Sequence, residues 1–266
     1  MTRTFAVVNQ KGGVGKTTTS VNLAAALASF GQRVLLVDLD PQGNATMGSG
    51  IDKKQAGTTV YHVMLGLSDV ASARMRPQGA AFDVLPANRE LAGAEIELVG
   101  LAERESRLKQ ALDVCHEEYD FVLIDCPPSL SLITVNGLVA AREVLIPMQC
   151  EYYALEGLSD LVDTLRRIRT NLNPELQISG LLRTMYDPRN TLTLQVSDQL
   201  ESHFSDKVYK TMIPRNVRLA EAPSHGIPAV VWDRTSKGAQ AYLALAREVL
   251  GVSGAVRESD EDVRHD

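Results

Sequence analysis

Between Phe5 and Thr18 the chain reads FAVVNQKGGVGKTT. The apolar run Phe5 to Asn9 has the length and composition of a buried strand, and the Gly-rich turn Lys11 to Gly15 follows it directly. From Lys16 to about Phe30, Val21, Leu23, Ala24, Leu27 and Ala28 recur at helical spacing, and Gly31 supplies a C-terminal stop. Arg33 to Asp38, RVLLVD, is the next buried strand. A strand, helix and strand within the first 40 residues mark a parallel sheet with crossover helices. Glycines between strand and helix let the backbone turn tightly and aim its N–H groups inward, where the helix also presents the positive end of its dipole. That is the context a nucleotide-phosphate loop requires. In that reading Lys16 contacts the β- and γ-phosphates of a nucleotide and the Thr17 hydroxyl ligates Mg²⁺. The general pattern G-x-x-x-x-G-K-[ST] is broken at its first position, which is Gln10, and an extra lysine, Lys11, stands beside it. The bland alternative is a Gly-rich turn before a helix with no ligand.

The alternation continues outward from this unit. Strands are expected at Phe82 to Pro86, Phe121 to Asp125, Val144 to Pro147, Ile178 to Thr184 and Val208 to Ile213. Helices are expected at Arg104 to Cys115, Ile133 to Ala141, Leu155 to Asn171, Thr193 to Phe204 and Ser236 to Leu250. No Pro/Ser-rich linker and no repeat interrupts them, so residues 1–250 read as one doubly wound α/β domain with a mostly parallel sheet and helices on both faces. Residues 251–266, GVSGAVRESDEDVRHD, hold five acids and two arginines without apolar periodicity and read as a disordered acidic tail.

Length and charge exclude several classes. At 266 residues with 27 basic and 33 acidic side chains, the chain carries a formal charge of −6 and is no bulk polycation. A polyanionic partner must therefore meet a local patch. No apolar run approaches the roughly 20 residues of a membrane span, and the N-terminus lacks a signal peptide, so a cytoplasmic location is expected. Cys115, Cys126 and Cys150 form no C-x-x-C pair. The five histidines lack metal-ligand spacing and read as structural or solvent-facing.

The segment K-G-G-V-G-K-T, Lys11 to Thr17, resembles the deviant Walker A motif of the ParA/MinD ATPases, a branch of the P-loop NTPases. The resemblance implies an ATP- and Mg²⁺-binding site formed by Lys11, Gly12, Gly13, Val14, Gly15, Lys16, Thr17 and Thr18, with Lys11 reaching across a homodimer interface to the partner's nucleotide. Cations from across the interface are physically needed, since two facing nucleotides would otherwise repel. Two further segments agree with it. Asp38-Leu-Asp-Pro-Gln-Gly-Asn44 resembles the family's switch I, and Asp125-Cys-Pro-Pro-Ser129 its Walker B aspartate and switch II. Acids at the C-terminal ends of neighbouring parallel strands face the same crevice as the phosphate loop. Asp125 is assigned to Mg²⁺ through a water, Asp40 to positioning the attacking water, and Asp38 to the metal shell or loop support; helix capping is the ordinary alternative for any one of them. The reaction expected is in-line attack of water on the γ-phosphoryl, with Lys11, Lys16, Asp40 and Asp125 as the catalytic set. Cys126, next to Asp125, reads as a buried core thiol rather than a cluster ligand.

Glu90 to Leu98, Gln149 to Leu158 and Ile213 to Gly226 look like chromosomal ParA proteins of the Soj type. That resemblance implies that Pro214 and Asn216 contact the adenine and Glu151 the nucleotide sugar across the dimer. It also implies nonspecific double-stranded DNA binding by the ATP dimer, through Arg189 and Arg218, with Lys210, Arg215, Arg234 and Lys237 as weaker candidates. The stretch KVYKTMIPRNVR, Lys207 to Arg218, holds four basic residues and no acid. A solvated basic face without a ligand is the alternative reading. The phosphate loop begins too early for a preceding helix-turn-helix domain. The function expected is an ATP-dependent dimerisation switch at the nucleoid, driving chromosome or plasmid partition with slow hydrolysis stimulated by a ParB-type partner. The alternative is a MinD-like membrane-cycling ATPase, disfavoured by the acidic C-terminus. A dinucleotide-dependent oxidoreductase lacks its G-x-G-x-x-G spacing, and a cluster-bearing reductase lacks a second suitable cysteine.

Overall fold

A computed structural model describes residues 1–252. Its elements follow in chain order as β1 (Arg3–Val7), α1 (Lys16–Ser29), β2 (Val34–Asp38), α2 (Asn44–Gly48), α3 (Val60–Met64), α4 (Val70–Ala73), β3 (Asp83–Leu85), α5 (Leu91–Val99) and α6 (Arg107–Asp113). Then come β4 (Phe121–Asp125), α7 (Leu132–Ala140), β5 (Glu143–Gln149), α8 (Ala154–Asn171), β6 (Gln177–Thr184), α9 (Thr191–Phe204), α10 (Val217–Glu221), α11 (Ala229–Trp232) and α12 (Lys237–Leu250).

The six strands form one sheet in the order β3-β2-β4-β1-β5-β6, and every strand pairing in it is parallel. Helices cover both faces, as parallel sheets require. Along β1 the side chains alternate between two cores. Phe5 and Val7 join Leu23, Leu27, Leu36, Tyr242 and Leu245 under α1 and α12, whereas Ala6 and Val8 join Leu35, Val37, Leu91, Leu108 and Leu161 under α5, α6 and α8. Leu27 is fully buried, so truncation to Ala would cost about 2–5 kcal/mol. Helix α1 can lie close to the sheet because Ala24, Ala25 and Ala26 on it are small. Helix β-to-α crossovers leave all six strand C-termini on one side, where β1, β2 and β4 end at Val7, Asp38 and Asp125.

Three local expectations are corrected. Val208 to Ile213 forms no strand, only an isolated bridge of Val208 to Leu181. The Tyr209 and Ile213 amides reach β6, but those of Lys210 and Thr211 donate instead to the Glu248 carboxylate on α12, at 2.7 and 3.0 Å, and that diversion breaks the ladder. The helix expected from Arg104 is the shorter α6, because Glu103 takes a left-handed φ of 51° and the chain turns before it. Helix α5 was not expected from periodicity, yet Leu91, Ala94 and Leu98 fall on one buried face at helical spacing. The acidic tail assigned to residues 251–266 lies almost wholly outside the described residues.

Candidate nucleotide site

The loop after β1 turns through Gly13 and Gly15 at left-handed φ of 74° and 87°, conformations that cost a side chain energy and a glycine almost none. A Cβ built on Gly12 or Gly13 would meet no atom within 4 Å, so the loop borders free space. That space is a cleft of about 310 Å³ lined by Gly12, Gly13, Gly15, Lys16, Thr17, Thr18, Asp40, Asn44, Pro128 and Met185. Lys16 opens α1 and is mostly buried; its ammonium donates to the Lys11 carbonyl at 3.0 Å. Burial holds the Lys16 pKa below the usual lysine value, with the nearby Asp125 charge opposing.

Asp125 ends β4 and Asp38 ends β2, and the two face each other in register, both with no solvent exposure. Thr17 and Ser20, one turn apart on α1, donate to the two oxygens of Asp125, each at 2.8 Å. Asp38 accepts from the Thr46 amide at 2.8 Å, the Thr46 hydroxyl at 2.7 Å and the Asp40 amide at 3.1 Å. Of the two roles expected for Asp38, these contacts are those of loop support. Burial, joined by the Asp38 charge, pushes the Asp125 carboxyl up to about 7. Burial raises Asp38 to about 6 against the hydrogen bonds from Thr46 and Asp40. Asp125 at the foot of the phosphate loop, with the Thr17 hydroxyl against it, has the oxygen chemistry that suits a divalent cation. Asp40 lies on the cleft wall and accepts the Gln42 amide at 2.9 Å.

A second hollow of about 220 Å³ adjoins the first through Gly15, Thr18 and Met185, with Pro214, Arg215, Asn216 and Tyr242 among its walls. Asn216 Oδ1 is buried without a hydrogen-bond partner among the described residues and lies toward Gly238, where a Cβ would come within 3.1 Å of it. Thr184 donates to the Val14 carbonyl at 2.8 Å and ties the end of β6 to the phosphate loop. Met185 follows with a left-handed φ of 49°, a strained backbone of the kind that collects at ligand sites.

The structure therefore brings together Gly12 to Thr18, Asp38, Asp40, Asp125, Pro214 and Asn216. Lys11 and Glu151 stand apart. Neither lines the two hollows; they pair with each other on the surface, each half exposed. The basic candidates do not converge on one free patch either. Arg215 lines the second hollow, while Arg189 is chelated by Asp187 at 2.9 and 2.8 Å. Arg218 pairs with Glu221 at 3.0 Å and Asp233 at 3.2 Å, over the Trp232 ring. Sequence reading missed Ser20, Thr46, Thr184 and Met185. Only Ser20 carried a signal, since a hydroxyl three residues after Thr17 on a helix lies on the same face.

Known proteins resemble this chain over nearly its whole length. Residues 2–178 match the model of a family described as AAA domain. The chain is 55% identical to the sporulation initiation inhibitor protein Soj of Bacillus subtilis, over 94% of this chain and 98% of that protein. It is 50% identical to the chromosome partitioning protein ParA of Caulobacter vibrioides, over 98% and 97%. Among solved structures, cobyrinic acid a,c-diamide synthase from Mycobacterium smegmatis, with an ATP analogue and magnesium bound, superposes with a TM-score of 0.83 at 40% identity, covering 94% of this chain and 95% of that one.

Proposed function

This chain belongs to the Soj/ParA family of chromosome-partitioning ATPases, and from that premise we propose that it is an ATP-dependent dimerisation switch that binds DNA without sequence preference and drives partition. The observation that carries the reading is the division of labour between two lysines. Lys16 lines the phosphate cleft, whereas Lys11, five residues earlier, points away from it to the surface. A phosphate-loop lysine that misses its own cleft supports the reading that it serves another subunit's. Beside its partner Glu151 the side chains of Tyr152 and Tyr153 are 74% and 71% exposed, an apolar surface suited to burial between two copies.

The chemistry follows from the residues. Backbone N–H groups of Gly12 to Thr18 and the start of α1 would cradle the β- and γ-phosphates, with Lys16 as the point charge. Bound Mg²⁺ would neutralise phosphate charge, held by the Thr17 hydroxyl and, through a water, by Asp125. Both carboxylate oxygens of Asp125 now accept hydroxyl protons, so Thr17 can exchange that bond for the metal while Ser20 keeps the carboxylate oriented. Asp40, which also lines the cleft, would orient the attacking water. Lys11 from the second subunit would complete the charge neutralisation, so hydrolysis would stay slow until two copies close. Stimulation by a ParB-type partner, Glu151 on the partner's nucleotide sugar, and a nucleoid location belong to the same reading. In the base hollow, Pro214 and Asn216 would contact the adenine.

Membrane cycling of MinD type is less well supported. Helix α12 packs its apolar side on α1 through Tyr242, Leu245 and Val249 rather than presenting it to solvent, and no described helix is long and apolar enough to cross a membrane. Light scattering tests the switch. Wild type should double in mass with ATP and not with ADP, and Lys11→Ala should bind ATP yet stay at monomer mass. A Lys11→Ala protein that dimerises normally would rule out the cross-subunit role.

A further inference from the structure

Arg218 is neutralised within its own subunit. Its Nη1 donates to Glu221 Oε2 at 3.0 Å, one turn on along α10, and its Nε faces Asp233 Oδ2 at 3.2 Å, at the end of α11. Its guanidinium lies 5.3 Å from the centre of the Trp232 ring, which packs at a tilt of 32° against His225 with 4.6 Å between centroids. Two carboxylates thus face one guanidinium. Both ion pairs are partly exposed, so neither is needed to hold the fold, and the interaction of each is modest in solvent.

We propose that Glu221 and Asp233 are a carboxylate guard that raises the threshold for DNA, so that one subunit's Arg218 does not hold a phosphate while two such arginines in a dimer do. The inference rests on the proposed DNA-binding function and adds what makes that binding conditional. A duplex phosphate must compete with two carboxylates already in place. Guanidinium geometry permits this, since Nη1 alone donates a hydrogen bond to these acids, at Glu221, and Nη2 is left as a donor for phosphate. Trp232 acts as a shelf, keeping the arginine at the surface while its anionic partners change. Asp233 has a second duty, accepting the Thr235 hydroxyl at 3.0 Å, which an amide oxygen can also do. Replacement by the isosteric amides therefore removes charge and leaves shape.

The test uses full-length protein and a labelled duplex of random sequence, with anisotropy read with ATP, with ADP and without nucleotide. Glu221→Gln with Asp233→Asn should bind about three- to tenfold tighter than wild type in the ADP and nucleotide-free states. The salt slope should not change, because the number of phosphates neutralised is the same. Adding Arg218→Ala should erase the gain. Unchanged or weaker binding by the double variant overturns the guard, and so does a gain that survives Arg218→Ala. Failure of wild type to bind any duplex with ATP sinks the DNA reading and the guard with it. A DNA-free arm separates the two. Trp232 is the chain's single tryptophan, so Arg218→Ala should shift its emission in the absence of DNA, and an unaltered spectrum contradicts the stack itself.

Discussion

Asp38 and Asp125 sit opposite each other on β2 and β4, in register and without solvent exposure. Parallel pairing forces this meeting, because both strands end at the same level of the sheet. Both carboxyls are raised above the ordinary value, principally by burial.

The sign of the resulting pH dependence is fixed. A carboxyl with a raised folded pKa binds its proton more tightly folded than unfolded, so stability falls as pH rises from about 4 toward about 7, the value to which Asp125 is pushed. Nucleotide-free protein should thus lose stability from this pair across that interval, and Asp125→Asn should flatten the loss. At pH 7.5 we expect Asp125→Asn to melt higher than wild type by a few degrees, on the order of 1–2 kcal/mol, while losing magnesium-dependent stabilisation by ATP. Calorimetry with and without Mg·ATP reads both effects, and a variant that melts lower when nucleotide-free contradicts the strained-pair account.

Asn216 tests the base hollow. Asn216→Ala removes a buried acceptor that lacks a donor, so the nucleotide-free protein should not be destabilised. ATP affinity should fall by roughly three- to tenfold, the worth of one neutral hydrogen bond, and preference for adenine over guanine nucleotides should narrow with it. Titration calorimetry with ATP and GTP checks this; equal losses for both would place the base elsewhere.

The fold was legible because its signals are consecutive. Phe5 to Thr18 is strand, loop and helix in one run, and Asp38 and Asp125 each close a strand of apolar residues. What stayed hidden depends on partners distant in the chain. The amides of Lys210 and Thr211 lose their place in the sheet to Glu248, nearly 40 residues on, and no local pattern announces that. Thr184 matters because its hydroxyl meets Val14 across the fold. The basic run ending at Arg218 looked free of acids, yet folding returns Asp233 to its side. Counting charges along a segment cannot see such a return.

On the proposed function, nucleotide state controls DNA binding through dimerisation. Duplex binding should therefore be measured with ATP, ADP and no nucleotide, over a series of salt concentrations, for wild type and Lys11→Ala. Wild type should bind strongly only with ATP, with a log-log salt slope near −4 if Arg189 and Arg218 of two subunits each meet one phosphate. Lys11→Ala should bind no better with ATP than with ADP. Equal binding by wild type in all three nucleotide states, or ATP-dependent binding that Lys11→Ala retains, would contradict the claim.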